Sequence, residues 1–469
     1  MIQSEHGVFL SFYGDDFTGS TDVMESLTMN GIPAVLFLAP PSKEEVENFR
    51  LKNRWYKPDG KVEAFGVAGV SRSMTPEQME RKFPPIFKAI RKIPSVFFHY
   101  KVCSTFDSSS KIGNIGHAVE IILEHFPAEY IPLLVGAPPL NRFCIFGNLF
   151  AKVDGVTYRL DRHPTMSKHP VTPMTESDIR EHLSKQTNRP VKLFDLFALE
   201  DSWENQENHF SRLIKGKGEY LLLDTYNDDH LRNVGRLIYE KRGPAPQLLV
   251  SSSGIEYALT SYLQHKGVIS HPSPPDSPGR AEQMIIMAGS CSPTTGKQIQ
   301  WIEKAGFKPI RIDTSRLIDT KNKNSEIDRV ISQTDILLRQ GENVVVFTAK
   351  GPSDPAIQKT KNKMRELSLP EGATSDGISK AQGKILLEIL KTLEKLPRVV
   401  VAGGDTSGYV SLELGIHALE VLVPIAPGAP LCLAHSNDPQ FDGMEISLKG
   451  GQNGKERYFE SVFEGKALE

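Results

Sequence analysis

The chain has 469 residues, of which 39% are hydrophobic and 24% are charged. That composition is typical of a soluble globular protein and excludes a mainly disordered, collagenous or membrane-spanning chain. The length allows about two to four domains. Fifty-five basic and fifty-seven acidic residues give a formal net charge of -2, so the positive field that nucleic-acid binding needs is missing and we expect no nucleic-acid partner.

The amino-terminal sequence predicts no secretory leader, because it lacks a basic stretch followed by a long apolar core. No run approaches the roughly 18 apolar residues of a membrane-spanning helix. The cysteines are scattered without C-x-x-C spacing, at Cys103, Cys144, Cys291 and Cys432, which argues against a disulfide framework and against a thiolate zinc site. We therefore expect a cytoplasmic protein with reduced thiols and no membrane partner.

The amino-terminal part alternates between strand and helix patterns. The apolar run at residues 8–13 predicts a strand, and the loop GDDFTG leads from it into a helix that ends near Asn30 and Gly31. Segments long enough for a helix separate the further strands predicted at residues 34–38, 63–70, 95–100 and 131–136. This alternation predicts a parallel α/β sheet.

A proline-rich stretch divides the chain. Four prolines within residues 271–279 remove backbone donors that helix and sheet need. We predict domains over residues 1–270 and 283–469, joined by a linker over residues 271–282. The second domain repeats the alternation, with strands predicted at residues 284–289, 308–312, 343–349 and 398–404. The predicted fold class is α/β, with two domains that each contain a mainly parallel sheet flanked by helices.

Three polar loops follow predicted strands, where open α/β sheets bind ligands. The first contains the adjacent carboxylates Asp15 and Asp16. One of them can cap the following helix, since Asp is a favoured capping residue. The other can accept hydrogen bonds from substrate hydroxyls or act as a general base. The residues alone leave open which acid has which role.

The second loop, residues 289–298, resembles a phosphate-binding P-loop incompletely. Cys291 stands where the first glycine belongs and Gln298 where the motif has Ser or Thr, so we reject a Walker A site. Ser290 and Ser292 precede a proline suited to the first turn of a helix, and helix N-termini attract phosphate. The alternative is an ordinary helix with a serine cap.

The third loop, GGDTSG, begins at Gly403. Its glycines allow the backbone to approach an anion, and Asp405 can hold Mg²⁺. The alternative is a tight turn in which Asp405 caps a helix. Downstream, Gly450 and Gly451 lie in a further glycine-rich turn, which either contacts phosphate or is a surface turn.

The amino-terminal part also carries potential anion ligands. Arg72 and Lys101 each follow a predicted strand, and residues 158–174 include a local basic concentration around Arg162 and His163. Such residues suit a substrate that bears a carboxylate. Prolines directly after His163 and His169 argue against the spacing of a helical metal site.

Taken in order, these motifs resemble the four-carbon acid sugar kinase family over nearly the whole chain. The resemblance implies an amino-terminal domain that binds a sugar acid, a carboxyl-terminal domain that binds ATP, and phosphorylation of the acid. It implies that the acid contacts Asp15, Asp16, Thr18, Arg72 and Lys101, to which the basic segment adds Arg162. It implies that ATP and Mg²⁺ contact Ser290, Ser292, Gly403, Gly404, Asp405, Thr406, Gly450 and Gly451, with Asp405 on the metal. We assign Asp16 as general base and Asp15 as a hydroxyl ligand, although the sequence does not order the pair.

One stretch departs from the commonest family pattern. Many relatives have Lys-x-Asp-Ser-Thr-Leu-Arg-Gly-Asn, whereas this chain has KVCSTFDSSSKIGN, with Cys103 in place of the aspartate and no arginine. The departure implies an acceptor related to the tetronates, for instance a branched oxo acid such as 3-oxo-isoapionate. It also keeps a non-catalytic sensor as the alternative, while a hydrolase is disfavoured because no G-x-S-x-G motif is present. The acceptor hydroxyl and the choice between monomer and homodimer stay open.

Overall fold

The protein is described by a computed structural model that covers residues 7–56, 60–153, 155–169, 171–244, 246–369 and 373–467, with 373–375 described through their backbone. The chain divides into two compact units. Unit 1 comprises Met1–Leu51 and Tyr56–Ser273, and unit 2 comprises Lys52–Trp55 and Pro274–Glu469. The change from unit 1 to unit 2 after Ser273 therefore lies inside the proline-rich stretch.

Unit 1 contains eleven strands in its described residues: β1 (Val8–Gly14), β2 (Ala34–Phe37), β3 (Ala64–Ala68), β4 (Ser95–Lys101), β5 (Tyr130–Leu134), β6 (Arg142–Ile145), β7 (Asn148–Val153), β8 (Val156–Arg159), β9 (Val191–Phe194), β10 (Glu219–Leu223) and β11 (Gln247–Ser251). Eight form one parallel sheet in the order β2-β3-β1-β4-β11-β5-β10-β9. The other three, β6-β7-β8, form a small antiparallel sheet. Strands β1, β5, β10 and β11 are buried at every position, as expected of strands in a parallel sheet covered by helices.

The described helices of unit 1 are α1 (Phe17–Met29), α2 (Lys43–Asn48), α3 (Pro76–Ile90), α4 (Ile115–Leu123), α5 (Ile179–Ser184), α6 (Leu196–Glu200), α7 (Trp203–Leu213), α8 (Asp228–Glu240) and α9 (Gly254–His265). Helix α1 ends at Met29 with Asn30 as its C-cap, where the sequence predicts the end of the helix. Its buried positions include Val23, Met24 and Leu27, which gave the helical pattern.

Unit 2 contains seven strands in its described residues: β12 (Met284–Ala288), β13 (Lys308–Arg311), β14 (Val344–Phe347), β15 (Arg398–Ala402), β16 (Ile416–Ala426), β17 (Ala429–Ser436) and β18 (Glu445–Lys449). Their order is β13-β14-β12-β15-β18-β17-β16. The first five pair in parallel, and β17 pairs antiparallel with both β16 and β18. The predicted α/β class with a mainly parallel sheet is confirmed.

The described helices of unit 2 are α10 (Pro293–Lys304), α11 (Thr314–Leu317), α12 (Lys323–Arg339), α13 (Pro355–Glu366), α14 (Ala373–Lys391), α15 (Gly404–Glu413) and α16 (Tyr458–Glu464). Helices α10 and α16 pack on a core built from β12, β14 and β15, with Ile299, Ile302, Phe459 and Val462 among its buried residues. No helix in the part of the chain that the structure describes combines the length and apolar character needed to cross a membrane.

Candidate active site

The carboxyl ends of three neighbouring strands bring the amino-terminal candidate residues together. In the sheet, β1 lies between β3 and β4, and Gly14 pairs with both Ala68 and Lys101 at the strand ends. Backbone bonds continue across the loops, since the Asp15 N–H donates to the Lys101 carbonyl (2.9 Å) and the Arg72 N–H to the Asp15 carbonyl (2.9 Å). This alignment places Asp15, Arg72 and Lys101 at one edge of unit 1.

Arg72 joins the two adjacent acids. Its Nε and Nη2 donate to Oδ2 and Oδ1 of Asp15 at 3.2 and 3.0 Å, and Nη2 also lies 3.0 Å from Oδ1 of Asp16. Only 7% of the Asp15 side chain is exposed. Burial raises the pKa of Asp15, and the charge of Arg72 opposes that rise. Asp15 is therefore held in one orientation by a fork of donors.

Asp16 caps α1 and stays more open than its neighbour. Its Oδ1 accepts a hydrogen bond from the Gly19 N–H at 2.6 Å, so the acid that caps the helix is the one assigned as the base. The Asp16 side chain is 29% exposed. Within the described contacts its Oδ2 accepts no hydrogen bond, which leaves one carboxylate oxygen for a ligand.

Lys101 lies behind these acids with its side chain buried. Its Nζ is 3.8 Å from Oδ2 of Asp22, a residue of α1 that the sequence did not single out. Burial raises the pKa of Asp22 and the charge of Lys101 lowers it. A Cβ on Gly19 would stand 2.6 Å from Oδ1 of Asp16 and 3.0 Å from Nζ of Lys101, so the cluster requires glycine at that position.

The two remaining amino-terminal candidates contact the cluster less directly. Thr18 is half-buried in the first turn of α1, where its carbonyl accepts from the Thr21 hydroxyl. Arg162 is exposed, in a short 3-10 turn after β8. No described hydrogen bond or ion pair links Arg162 to Asp15, Asp16, Arg72 or Lys101, so the structure does not bring it into the cluster.

The stretch that departs from the family pattern contributes an acid of its own. The Thr105 hydroxyl donates to Oδ1 of Asp107 at 2.5 Å, and the Thr172 hydroxyl donates to its Oδ2 at 3.2 Å. Asp107 is buried. Burial lowers the pKa of Arg72, while the charges of Asp15, Asp16 and, to a smaller extent, Asp107 raise it. The stretch therefore carries a buried acid at Asp107, four residues after Cys103, which the sequence motifs did not single out.

In unit 2, neighbouring strand ends gather the nucleotide candidates. Strand β15 lies between β12 and β18, and Ala402 pairs with both Ala288 and Lys449. The Ser290 N–H then donates to the Ala402 carbonyl at 3.0 Å, and the Gly403 N–H to the Lys449 carbonyl at 2.9 Å. The loops after β12, β15 and β18 therefore begin side by side at the same edge of the sheet.

Side chains lock these loops to one another. Ser292 caps α10 by accepting from the Thr295 N–H at 3.0 Å, and its hydroxyl donates to the Gly451 carbonyl. A Cβ on Gly451 would stand 2.3 Å from the Ser290 hydroxyl. Half-buried Gly450 lies beside it, between Lys449 and the bonded glycine. The serine cap of the alternative interpretation is therefore present, and the same hydroxyl also joins the loop after β12 to the loop after β18.

The loop after β15 leads into α15, whose amino-terminal end lies at the same loop cluster. Gly403 has φ +138°, a conformation that favours glycine, and it is the N-cap of α15 without a side-chain cap. Thr406 is buried and donates to Oε1 of Gln382 at 3.2 Å. Gly404 and Asp405 are exposed in the first turn. Asp405 is therefore not the helix cap that the alternative interpretation required.

One exposed carboxylate is the metal candidate here. The described residues contain no group of three or more His, Cys, Asp or Glu side chains that could hold a metal ion. Mg²⁺ in phosphoryl-transfer sites is commonly held by one or two carboxylates together with substrate phosphates. Asp405 at the amino-terminal end of α15 fits that arrangement, in which nucleotide phosphates complete the coordination.

Lys449 is a buried lysine beside the loop cluster of unit 2. It is 1% exposed, and its Nζ donates to the Thr295 hydroxyl at 3.2 Å. Burial lowers the pKa of Lys449 to about 7. Lys449 ends β18 directly before two glycines, and Thr295 of α10 and the rings of Tyr458 and Phe459 of α16 lie around its ammonium group.

Comparison with known families assigns both parts of the chain. Residues 10–259 match a family model described as a sugar-binding N-terminal domain. Residues 285–459 match a family model described as a nucleotide-binding C-terminal domain. The first match contains Asp15, Asp16, Arg72 and Lys101, and the second contains all three loops of unit 2.

Individual relatives extend the comparison. The chain is 40% identical to a 3-oxo-isoapionate kinase of Paraburkholderia graminis over 98% of this chain and 95% of that one. It is 26% identical to a 3-oxo-tetronate kinase of Pectobacterium atrosepticum over 96% of this chain and 97% of that one. A crystal structure from Salmonella typhimurium LT2, provisionally described as a tRNA synthase, superimposes with a TM-score of 0.73 at 21% identity, covering 97% and 98% of the two chains. At that identity the likeness shows the fold alone.

Proposed function

Since the chain belongs to the four-carbon acid sugar kinase family, we propose that it transfers the γ-phosphoryl group of ATP to a hydroxyl of a branched 3-oxo sugar acid of the 3-oxo-isoapionate class. One observation carries the choice of acceptor: the similarity to a 3-oxo-isoapionate kinase runs over nearly the full length of both chains. The paired acids held by Arg72 supply acceptors for hydroxyls, and the loops of unit 2 supply donors for phosphate.

The reaction needs an acceptor oxygen positioned in line with the γ-phosphorus and a group that takes its proton. Asp15, with both oxygens held by Arg72, orients a hydroxyl of the acid. Asp16 accepts the proton of the attacking hydroxyl at its open oxygen as the new oxygen–phosphorus bond forms. The bond between the γ-phosphorus and the bridging oxygen breaks, and ADP leaves.

Unit 2 stabilises the phosphates through backbone and hydroxyl donors. The amino-terminal turns of α10 and α15 lie at the loop cluster of unit 2, and backbone N–H groups at helix ends of this kind bind phosphate. The hydroxyl of Ser290 is a further donor for phosphate. The glycines of the three loops allow the backbone to approach the phosphates closely. Asp405 would hold Mg²⁺, which supplies charge neutralisation on the phosphates when bound.

Asp405→Asn tests the metal assignment. We expect turnover to fall at least about tenfold and the Mg²⁺ concentration at half-maximal activity to rise, because the amide has lost the charge that attracts the ion. Glu413→Gln, at the opposite end of α15 and also exposed, is the matched control and should behave like the wild type. Unchanged turnover and Mg²⁺ dependence in Asp405→Asn would contradict the assignment.

Lys449 gives nucleotide binding a proton linkage. A phosphate near Nζ favours the charged lysine and so raises its pKa from about 7 toward its ordinary value. At a pH between the pKa of Lys449 in the free protein and its pKa in the complex, ADP binding should take up part of a proton. At pH 6, where the lysine is already charged in the free protein, the uptake should shrink. Calorimetric titration with ADP in two buffers of different ionisation enthalpy measures it. If Lys449→Met showed the same uptake at pH 8, the lysine would not be its source.

The acceptor is identified by comparing ADP release with 3-oxo-isoapionate, 3-oxo-tetronate and threonate under identical conditions. We expect kcat/KM to be highest for 3-oxo-isoapionate. A higher value for 3-oxo-tetronate would keep the kinase and overturn the acceptor. A cytoplasmic location and a homodimer stay predictions, and sedimentation of the purified protein tests the second.

A further inference from the structure

A half-buried arginine in unit 1 has no partner of opposite charge among the described residues. Arg142 begins β6. Its Nη1 donates to the carbonyls of Leu140 and Asn141 at 3.2 and 3.1 Å, while its Nε is fully buried and makes no hydrogen bond. Burying a guanidinium without an anion is costly, and the described residues supply no carboxylate that pairs with Arg142.

Arg142 stands at the ligand-binding edge of the parallel sheet. It forms an antiparallel bridge with Ala137, just beyond the carboxyl end of β5. Strand β5 neighbours β11, and β11 neighbours β4, which carries Lys101 at its end. The thiol of Cys103 lies within electrostatic range of both Arg142 and Arg72. Burial raises the pKa of that thiol, so it does not serve as the missing anion.

A histidine lies near Arg142 through the small sheet. Arg142, Ala151 and Tyr158 are cross-strand neighbours in the small sheet, and the ring of Tyr158 packs against His163 at 6.0 Å. The N–H groups of Thr165 and Met166 both donate to Nδ1 of His163, each at 3.2 Å. A ring whose Nδ1 accepts two hydrogen bonds carries its proton on Nε2. Burial and the charge of Arg142 both lower the pKa of His163.

We propose that Arg142, together with the Nε2–H of His163, binds the carboxylate of the acceptor acid. This inference rests on the proposed kinase function and adds the subsite that selects an acid over an uncharged sugar. A guanidinium fork matches a carboxylate in two parallel hydrogen bonds. With Asp15 and Asp16 on the hydroxyls, the subsite fixes the acid at its opposite end. Arg142 also supplies the cation that KVCSTFDSSSKIGN lacks relative to the family pattern.

The test compares an acid with its uncharged counterpart. Erythrulose has the carbon skeleton of 3-oxo-tetronate with a hydroxymethyl group in place of the carboxylate. We expect kcat/KM of Arg142→Gln for 3-oxo-tetronate to fall roughly 10- to 100-fold, the range of a lost hydrogen bond to a charged group, while kcat/KM for erythrulose and KM for ATP change less than about threefold. Arg142→Lys keeps the charge without the fork and should lose less.

Arg159→Gln is the matched control, since Arg159 lies on β8 of the same small sheet, is exposed, and pairs with Asp161. It should match the wild type for both acceptors. If Arg142→Gln lost activity equally toward acid and erythrulose, or if its melting temperature fell while the acid preference persisted, the carboxylate subsite would be overturned. Should Arg142→Gln not fold, the acid preference of Arg142→Lys decides in the same way.

A failure of the proposed function looks different. If the wild type releases no ADP with any acid, the kinase assignment fails, and calorimetric binding of 3-oxo-tetronate without nucleotide then tests the subsite alone. Tight binding by the wild type that weakens at least about tenfold in Arg142→Gln supports the subsite, and equal affinities overturn it. The subsite would also be overturned if Arg142→Gln bound the acid as tightly as the wild type but bound the phosphorylated product more weakly. The transferred phosphoryl group, and not the carboxylate, would then lie at Arg142.

Discussion

Asp16→Asn is expected to lower kcat by roughly 10²- to 10⁴-fold while KM for the acid changes much less, because a positioned base contributes to the transition state more than to ground-state binding. The variant keeps the helix start, since Asn accepts the Gly19 N–H as well as Asp does. Steady-state kinetics with the sugar acid measures the effect, and the melting temperature should stay at the wild-type value.

Two control variants distinguish the loss of a general base from the loss of a substrate contact and from the loss of a charge at a helix cap. Asp15→Asn should mainly raise KM, because Asp15 orients a hydroxyl through its fixed contact with Arg72. Asp195→Asn removes the charge of an acid that caps α6 by the same bond, accepted from the Ala198 N–H at 2.9 Å, and should leave kcat intact. An Asp16→Asn enzyme with wild-type kcat would refute the assignment of the base.

Lys101→Met is expected to destabilise unit 1 by about 3 kcal/mol or more at neutral pH, because removing one member of a buried ion pair leaves its partner charged and unpaired. The partners are Asp22, whose Oδ2 is 3.8 Å from the ammonium, and the acids around Gly19. Hydrogen exchange of peptides from α1 measures the change locally. Lys92→Met, at an exposed position just before β4, is the control and should exchange like the wild type.

The destabilisation by Lys101→Met should shrink as the pH falls. Burial already raises the pKa of Asp22, and the charge of Lys101 restrains that rise, so the variant raises the folded-state pKa further above the unfolded one. Such a carboxyl penalises folding at high pH, and the penalty disappears as the pH falls through the folded pKa. Equal destabilisation at pH 7.5 and pH 5 would show that lost packing, rather than lost charge, is the cause.

Strands were predicted from the sequence where a long apolar run is clearly bounded. Strands were missed where a short apolar run follows a polar or proline-containing segment of the sequence. The strand predicted at residues 63–70 ends at Ala68, because exposed Val70 already belongs to the turn toward Arg72. Strands β10 and β11 were not predicted, although both are fully buried. They are only five residues long, and each follows a charged or proline-containing segment that resembles a loop.

The candidate site was predicted in its loops but not in its supports. Asp15, Arg72 and Lys101 could be found because each lies at or shortly after the end of a strand, and the sheet order places those strand ends together. Asp22 and Gln382 lie inside helices, where a polar residue in a sequence gives no sign that it points at a site. Arg142 follows Asn141, which has a left-handed conformation (φ +57°), and only the folded bridge to Ala137 brings it to the edge of the sheet.

The most direct test of the proposed kinase activity is a single balance of reactants. The purified full chain is incubated with ATP, Mg²⁺ and 3-oxo-isoapionate, ADP is followed by a coupled assay, and the product is followed by phosphorus NMR. We predict one ADP and one phosphate ester for each acid consumed, with both signals lost in Asp16→Asn. Acid binding without ADP release would identify a sensor, and ADP release that ignores the acid would identify an ATPase. Either result would contradict a sugar-acid kinase.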